Sequence, residues 1–581
     1  MTTLNSISRR DMLAMGLLAA LPGTLLSEAA RAAAAPPNTA AMQALDRFIA
    51  GYCEAMNAPG LTLGLAGAEG PLRVSSYGYV DIAAKIPVSP SHLFEIGSIT
   101  KSFVALVILQ LHEEGKVDLQ APIHGYLPWL AMQTDFGDIL IHHLLTHSSG
   151  MPDDAPLFPS SPQRRPRQAL KPGTEFHYCN WGYDVLGHLI EALDGRSWSA
   201  AVNERILKPI GMLDTAPIIT SAVRPRIAQS YVPLHDDRPY PRHAPIVPAG
   251  NLAVDFAAGS IASTPKDMNL YMQALLNRGE IHGRRIVSEE SFKLFSTRHI
   301  AAPAFGPTAG YGYGIAVDTL DGHVRLRHTG GMVSFMSAMH LDLDSRFGAF
   351  ASINAQLGYR PNPVVQLALQ LLRSGKEHTK PPATPEFDGA ARVEAAQSYA
   401  GVYTSGAGRR MEVKNASDRL ALAVDGHSIP LQQSEDGSFI AAHPGFELFP
   451  IVFERAAASI SADPPDNSKR PITALSSGAE WFAREGYRGQ PPLEPSTELA
   501  RYVGKYYSEN PWYGVIRVVQ RQRQLWMGGT EPLTIVGKHL FRVGEQPSSP
   551  SVVEFSEWVD DTPQLLWFDG AQFRRVGDVN S

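Results

Sequence analysis

A serine and a lysine three residues apart open the longest apolar run of the chain. Gly97-Ser98-Ile99-Thr100-Lys101 leads directly into Ser102-Phe103-Val104-Ala105-Leu106-Val107-Ile108-Leu109, and Glu113-Glu114-Gly115 closes the run. The pattern predicts a helix that starts at Ser98, as N-cap or first-turn residue, and stops at Gly115. The run is apolar nearly all round, so the helix should be buried. Side chains at i and i+3 share a helix face, which puts Lys101 within reach of Ser98. A buried lysine loses solvation, its neutral amine becomes accessible, and such an amine can take a hydroxyl proton. Backbone N–H groups at the helix start can receive an oxyanion forming beside Ser98. Four-residue matches of this kind arise by chance, so the reading depends on partners elsewhere.

Two later segments supply them. Tyr178-Cys179-Asn180 follows the turn Lys171-Pro172-Gly173-Thr174-Glu175. A tyrosine flanked by ammonium groups is expected to ionise more readily and to serve Ser98 as base or relay. Asn180 can position a substrate amide and hydrogen-bond Lys101. His328-Thr329-Gly330-Gly331 ends a predicted strand, and its glycines allow a substrate to lie alongside as an added strand. The Gly331 N–H would then complete an oxyanion hole with the Ser98 N–H.

The elements that must position these groups read as an α/β chain whose sheet is drawn from both ends of one domain. A helix is expected at 42–56 and strands at 61–67 and 72–80, followed by the Ser98 helix. A short helix near 141–145 is stopped by Gly150 and Pro152. A proline-rich loop covers 157–175, and helices follow at 183–193, 200–207, 267–278 and 289–296. Strands at 311–317, 324–329, 334–343 and 348–354 alternate tightly enough to be antiparallel, and a helix at 364–372 closes the region.

Beyond Lys380-Pro381-Pro382-Ala383-Thr384-Pro385 the composition changes to short alternating runs. Tyr399-Ala400-Gly401-Val402-Tyr403 is echoed by Tyr502-Val503-Gly504-Lys505-Tyr506. Gly478-Ala479-Glu480-Trp481-Phe482 is echoed by Gly570-Ala571-Gln572-Phe573. A duplicated module, each copy a small antiparallel barrel, is expected. The division is 35–380 for the first domain, which carries Ser98, 381–396 and 489–498 for linkers, and 397–488 and 499–581 for the barrels.

The 581 residues carry 44% hydrophobic and 19% charged side chains with a formal charge of -6, a globular composition with nothing to attract nucleic acid. Cys53 and Cys179 are the only cysteines and are expected to be free core residues. His142, His143 and His147 lack an intervening carboxylate and a third distant ligand, so structural roles are favoured over metal binding, and no metal or cofactor is expected. Trp481, Trp526 and Trp567 read as barrel core rather than as a sugar- or peptide-binding face. Ser8-Arg9-Arg10-Asp11, a mildly apolar stretch to Leu26 and Ala30-Arg31-Ala32-Ala33-Ala34 read as a signal peptide over 1–34. The paired arginines resemble a twin-arginine export signal, with cleavage expected near Ala32 or Ala34 and a periplasmic or secreted product. No later run is long enough to cross a membrane.

S-x-x-K, Y-x-N and H-T-G in this order resemble the serine β-lactamase and penicillin-binding superfamily. The tyrosine motif, His143-Leu144-Leu145-Thr146-His147-Ser148-Ser149-Gly150 and Pro172-Gly173-Thr174 resemble its class C branch, with D-alanyl-D-alanine carboxypeptidases, D-aminopeptidases and esterases. The likeness covers about 40–375, and the paired barrels resemble those of bacterial D-aminopeptidases of the group. It implies a β-lactamase-like domain, an antiparallel sheet flanked by helices, followed by the two barrels. It makes Ser98 the nucleophile, Lys101 its activating partner and Tyr178 the general base and acid. Asn180, His328, Thr329 and Gly330 become substrate-binding groups, and the Ser98 and Gly331 N–H groups the oxyanion hole. One departure matters: histidine stands where class C β-lactamases carry lysine, and a mostly neutral side chain suits a carboxylate less than a fixed cation. The weight moves from β-lactamase towards cleavage of D-amino-acid peptides or amides. An esterase, a weak β-lactamase or an idle protein that binds cell-wall fragments are the alternatives.

Overall fold

The computed structural model describes residues 39–581 except 131, 135, 156–165, 251, 253, 386–391, 435, 457–469, 490–492 and 581. The leader expected over 1–34 lies outside the described residues, as do parts of the expected loop and linkers.

The sheet of the first domain has nine strands. Gly60–Gly67 (β1), Gly70–Asp81 (β2) and Ile86–Pro87 (β3) come early, and Ile300–Ala301 (β4), Gly310–Tyr311 (β5), Ala316–Leu320 (β6), His323–Gly331 (β7), Met336–Asp342 (β8) and Phe347–Ile353 (β9) come late. Their order is β4-β5-β6-β7-β8-β9-β1-β2-β3, antiparallel throughout, with β1 joined to β9 from Leu61 opposite Ile353 to Gly67 opposite Phe347. The central strands β1, β8 and β9 are buried almost throughout, because helices cover both faces. On one face lie Thr39–Ala55 (α1) and Asn362–Glu377 (α5), around a core that includes Phe48, Tyr52 and Leu367. On the other lie Thr100–Glu113 (α2), Asn180–Asp194 (α3) and Pro265–Leu276 (α4).

Helix α2 is the pivot, buried at every residue from Thr100 to Leu109. Its start is pinned to α4: Phe103 stacks on Tyr271 at 3.8 Å, the Tyr271 hydroxyl donates to Ser102 Oγ at 2.7 Å, and Ser102 donates to Ile99 O at 2.7 Å. One detail departs from expectation. Ser98 does not cap α2 but sits in a preceding 3-10 turn, Gly97–Ile99, and Ile99 is the helix N-cap, without a side-chain cap. The tighter turn lifts Ser98 off the helix surface, while Lys101 stays in the first helical turn below it.

Strand β7 packs directly on that turn, and glycine makes this possible. Gly97 has φ of +53°, and a Cβ on Gly330 would fall 1.8 Å from Ile96 O. Gly330→Ala is therefore expected to destabilise the domain by about 3 kcal/mol, since only backbone can move aside. A thermal melt beside Gly375→Ala, where a Cβ meets nothing, checks this.

After α5 come two closed barrels of eight antiparallel strands, one between Gly401–Ser405 and Glu480–Arg484 and one between Gly504–Tyr507 and Ala571–Gly577. Closure removes the sheet edges that short strands would otherwise expose. The echo in sequence has a structural counterpart: Tyr403 and Tyr506 are fully buried at matching places, and each hydroxyl donates back to the carbonyl four residues earlier.

Candidate active site

Lys101 is fully buried, and its Nζ meets three acceptors: Ser98 Oγ at 3.1 Å, Asn180 Oδ1 at 2.7 Å and Ala258 O at 2.8 Å. Three acceptors match the three hydrogens of an ammonium. Burial pulls the Lys101 pKa down, with Asp184 and Asp153 opposing it. The Tyr178 ring lies 4.9 Å from Nζ, and the Ser98 hydroxyl is near enough to favour the ionised form of the Tyr178 phenol. Ser98, Lys101, Tyr178 and Asn180 thus meet in one place.

The expectation that Tyr178 ionises readily is corrected. Burial drives its pKa up, and the Ser98 hydroxyl and the Arg360 charge offset this only in part. The aromatic wall explains it, since the Tyr178 ring stacks on His147 at 4.2 Å and lies among Phe176, Phe305 and His328. A phenol so placed keeps its proton, and the group that can be neutral near physiological pH is Lys101.

His328 is also placed differently from a substrate contact. It is buried, its Nδ1 donates to Thr329 O at 2.6 Å, and its Nε2 accepts from the Tyr311 hydroxyl at 2.9 Å. Burial and the nearby Lys101 charge push its pKa down to about 3, so it stays neutral. With both nitrogens engaged, His328 orders the aromatic wall rather than reaching into the cleft.

The backbone beyond His328 is more available. Met332 N donates to Phe335 O at 2.8 Å, which makes that pair with β8 a hydrogen-bonded one. Antiparallel pairs alternate, so at Gly331, opposite Met336, the N–H turns to the other edge. There the pairing of β6 with β7 ends at Ala316 opposite Arg327. The edge from His328 to Gly331 has no strand partner among the described residues. Its last N–H lies 2.6 Å from where a Cβ on Gly97 would be, next to Ser98.

Asn180 opens α3, with Cys179 as N-cap. Asp153 Oδ1 accepts from both Asn180 N (3.0 Å) and Asn180 Nδ2 (3.1 Å), which turns the amide oxygen to Lys101. Each neighbouring histidine has one ring nitrogen bonded to protein: His142 Nδ1 bonds the Tyr313 hydroxyl, His143 Nδ1 accepts from Leu140 N, and His147 Nδ1 accepts from Cys179 N. Both cysteines are free.

Sequence reasoning missed three carboxylates and one loop. Asp153, Asp154 and Asp184 line a cavity of about 260 Å³ beside Ser98, with Phe256 and Met332 as apolar wall. The far wall comes from the second barrel: Trp512 and Tyr513 enter the cavity, and the Tyr513 hydroxyl donates to Asp154 Oδ2 at 2.9 Å. Burial raises the Asp154 pKa, against the Tyr513 hydrogen bond. Desolvation pushes the Asp569 carboxyl up to about 7, and Asp153 and Asp154 add to the rise. The same barrel is tethered through Asp237, which pairs with Arg517 at 2.8 Å and Lys505 at 3.4 Å. A signal for the loop exists in the duplication. The first-barrel connection 406–409 becomes 508–514 in the second, and the longer one carries Pro511-Trp512-Tyr513.

The profile of the Beta-lactamase family matches residues 45–371. Protein flp of Staphylococcus aureus (strain MW2) is 28% identical over 321 residues, 52% of this chain and 61% of that protein. Protein Rv1367c of Mycobacterium tuberculosis is 29% identical over 294 residues, 43% of this chain and 72% of that protein. Among solved structures, the octameric penicillin-binding protein homologue from Pyrococcus abyssi aligns with a TM-score of 0.54 and 25% identity, covering 76% of this chain and 100% of that one. The match to flp spans about three-fifths of that protein's length. With the nine-stranded antiparallel sheet and the serine–lysine turn beneath β7, this chain belongs to the Beta-lactamase family of the serine β-lactamase and penicillin-binding superfamily.

Proposed function

We propose that this protein is an exported serine hydrolase of the class C-like branch, which cleaves amide or ester bonds through an acyl-enzyme on Ser98 and takes D-amino-acid peptides or amides as substrates. The observation that carries the reading is the fully buried Lys101 amine 3.1 Å from Ser98 Oγ, with the Tyr178 ring 4.9 Å from the same amine. Lys101 in its neutral form takes the Ser98 proton as Oγ bonds to the carbonyl carbon. The oxyanion is received by the Ser98 and Gly331 N–H groups. When the C–N or C–O bond breaks, Tyr178 gives its proton to the leaving group and recovers one from Lys101, which restores the resting state. Water then attacks the ester by the same route in reverse. Asn180 holds Lys101 and offers its amide to the substrate, and the free edge from Thr329 to Gly331 lies alongside it.

The cavity favours an acyl residue that carries an ammonium. Asp153, Asp154 and Asp184 face it, the Lys101 charge lies beneath its floor, and 260 Å³ suits one residue rather than a peptide tail. A neutral His328 supplies no fixed cation for a β-lactam carboxylate. Export rests on the twin-arginine-like leader, and among the described residues no helix is long and apolar enough to cross a membrane.

Intact-mass labelling with a fluorophosphonate and a fluorescent penicillin, alongside a screen of D-amino-acid amides and p-nitrophenyl esters, tests the reading. One adduct on the wild type, absent from Ser98→Ala, is expected, with turnover of the amides lost in the variant. A wild type that takes neither probe and turns over no substrate, yet binds cell-wall peptides as well as the Ser98→Ala variant does, would make it a binding protein.

A further inference from the structure

Helix α3 presents a second group to Lys101 besides Asn180. Asp184 lies four residues further on, on the same face, half-buried at the cavity floor. Its Oδ1 accepts from Ala258 N at 3.0 Å, while the carbonyl of the same residue accepts from Lys101 Nζ at 2.8 Å. The Ala258 residue is therefore gripped at both ends, by the carboxylate and by the ammonium. We propose that Asp184 is a positioning residue of the hydrolytic centre: it fixes Ala258, and through it the Lys101 amine below Ser98, and its carboxylate is the counter-charge that sets the pH range in which Ser98 is acylated.

The inference rests on the reading of Lys101 as the group that activates Ser98. Two opposing effects act on that amine. Removal from water favours the neutral form, and the carboxylate favours the ammonium. Asp184 heads the opposing influences, with Asp153 and Cys179 behind it. The other groups facing Lys101 are the Tyr178 and Tyr183 rings, and its charge is felt by His147 and His328. Burial raises the Asp184 carboxyl in turn, with Asp154 and Asp153 adding to the rise, while the bond from Ala258 N and the Lys101 charge hold it down, so carboxylate and amine titrate as a pair. Asp153 is occupied by two bonds to Asn180, so its role is to aim the amide. That leaves Asp184, joined to the amine through Ala258, as the carboxylate with the strongest hold on it.

The sign follows. If neutral Lys101 is the active form, acylation rises with pH as the amine loses its proton, and removing the counter-charge lets it do so at lower pH. Asp184→Asn keeps the shape and an oxygen to accept from Ala258 N, so the peptide stays gripped while the charge goes. In full-length protein, the second-order rate of fluorophosphonate labelling, followed from about pH 5 to about pH 9, should show its acid limb displaced downwards by about one pH unit or more. Superimposed limbs, or a uniform loss with the limb unmoved, would overturn the proposal, because a purely structural role predicts the second of these. Should Asp184→Asn fail to fold, Asp184→Glu serves, with the charge kept and the bond to Ala258 displaced. The wild-type limb with slower labelling is then expected, and a displaced limb overturns it. A wild type that is never labelled refutes the hydrolase reading itself, and this inference with it.

Discussion

Lys101→Met is expected to lower the labelling rate of Ser98 by about 10⁴-fold while leaving the folded protein nearly as stable as before. The activity loss follows from removing the amine 3.1 Å from Oγ, because Tyr178, held protonated by burial, is a poor substitute. The stability argument has two sides. Methionine fills similar space and removes the cost of keeping an ammonium out of water. Against this, Asn180 Oδ1 and Ala258 O lose their donor, at about 1–3 kcal/mol each. The two roughly cancel, so the melting temperature should move by only a few degrees. Labelling within about tenfold of wild type would show that another group takes the proton. A collapse of the fold would show that Lys101 is chiefly structural.

The second large effect concerns the acidic cavity. N-acetylation of a D-amino-acid amide should cut kcat/KM by about 100-fold, since a charged hydrogen bond of about 2.7 kcal/mol is forfeited and a carboxylate is left unanswered. Asp154→Asn should shrink the gap between free and acetylated substrate to about tenfold or less, mostly by slowing the free one. Asp154 is the informative position because Tyr513 bonds it from the second barrel at the cavity wall, whereas Asp153 is spent on Asn180 and its loss would disturb the surroundings of Lys101 and Ser98. A wild type indifferent to acetylation would remove the ammonium from the reading and favour an esterase of neutral substrates.

These effects also mark where sequence stops informing. Ser98 and Lys101 are legible because i and i+3 spacing and an apolar run are local properties. Nothing local shows that three carboxylates from two segments converge on one cavity. Asp153 and Asp154 sit in a loop whose sequence reads only as connection, and Asp184 sits in a helix where it reads as an ordinary polar residue. The tyrosine is misjudged from sequence for a related reason. Nearby lysine charges suggest an easily ionised phenol, but the pKa is governed by the surrounding rings, Phe176, Phe305 and His147, which come from three separate segments. His328 shows the same limit: its strand is legible, its bond to Tyr311 is not. The helix start is displaced from Ser98 to Thr100 because it is decided by packing against β7, through glycines that a propensity reading treats as breakers. The barrels are visible as echoes, and the loop that reaches the cavity beside Ser98 only as a longer connection in one copy.

The pairing of β1 with β9 has a consequence for how this chain is made. Strand β1 is the seventh of nine in the sheet, and Leu61 finds its partner only at Ile353. A nascent chain therefore carries a buried-type strand, Leu61-Thr62-Leu63-Gly64-Leu65, with its β9 edge unpaired until the last part of the domain has been synthesised. Such distant pairing is slow, because the closing entropy is met before the contacts form. During that interval β1 and β2 are a hairpin with one apolar edge open, the kind of edge that pairs wrongly with other chains. Synthesis rate and chaperone capacity, rather than thermodynamic stability, should set the yield of this protein.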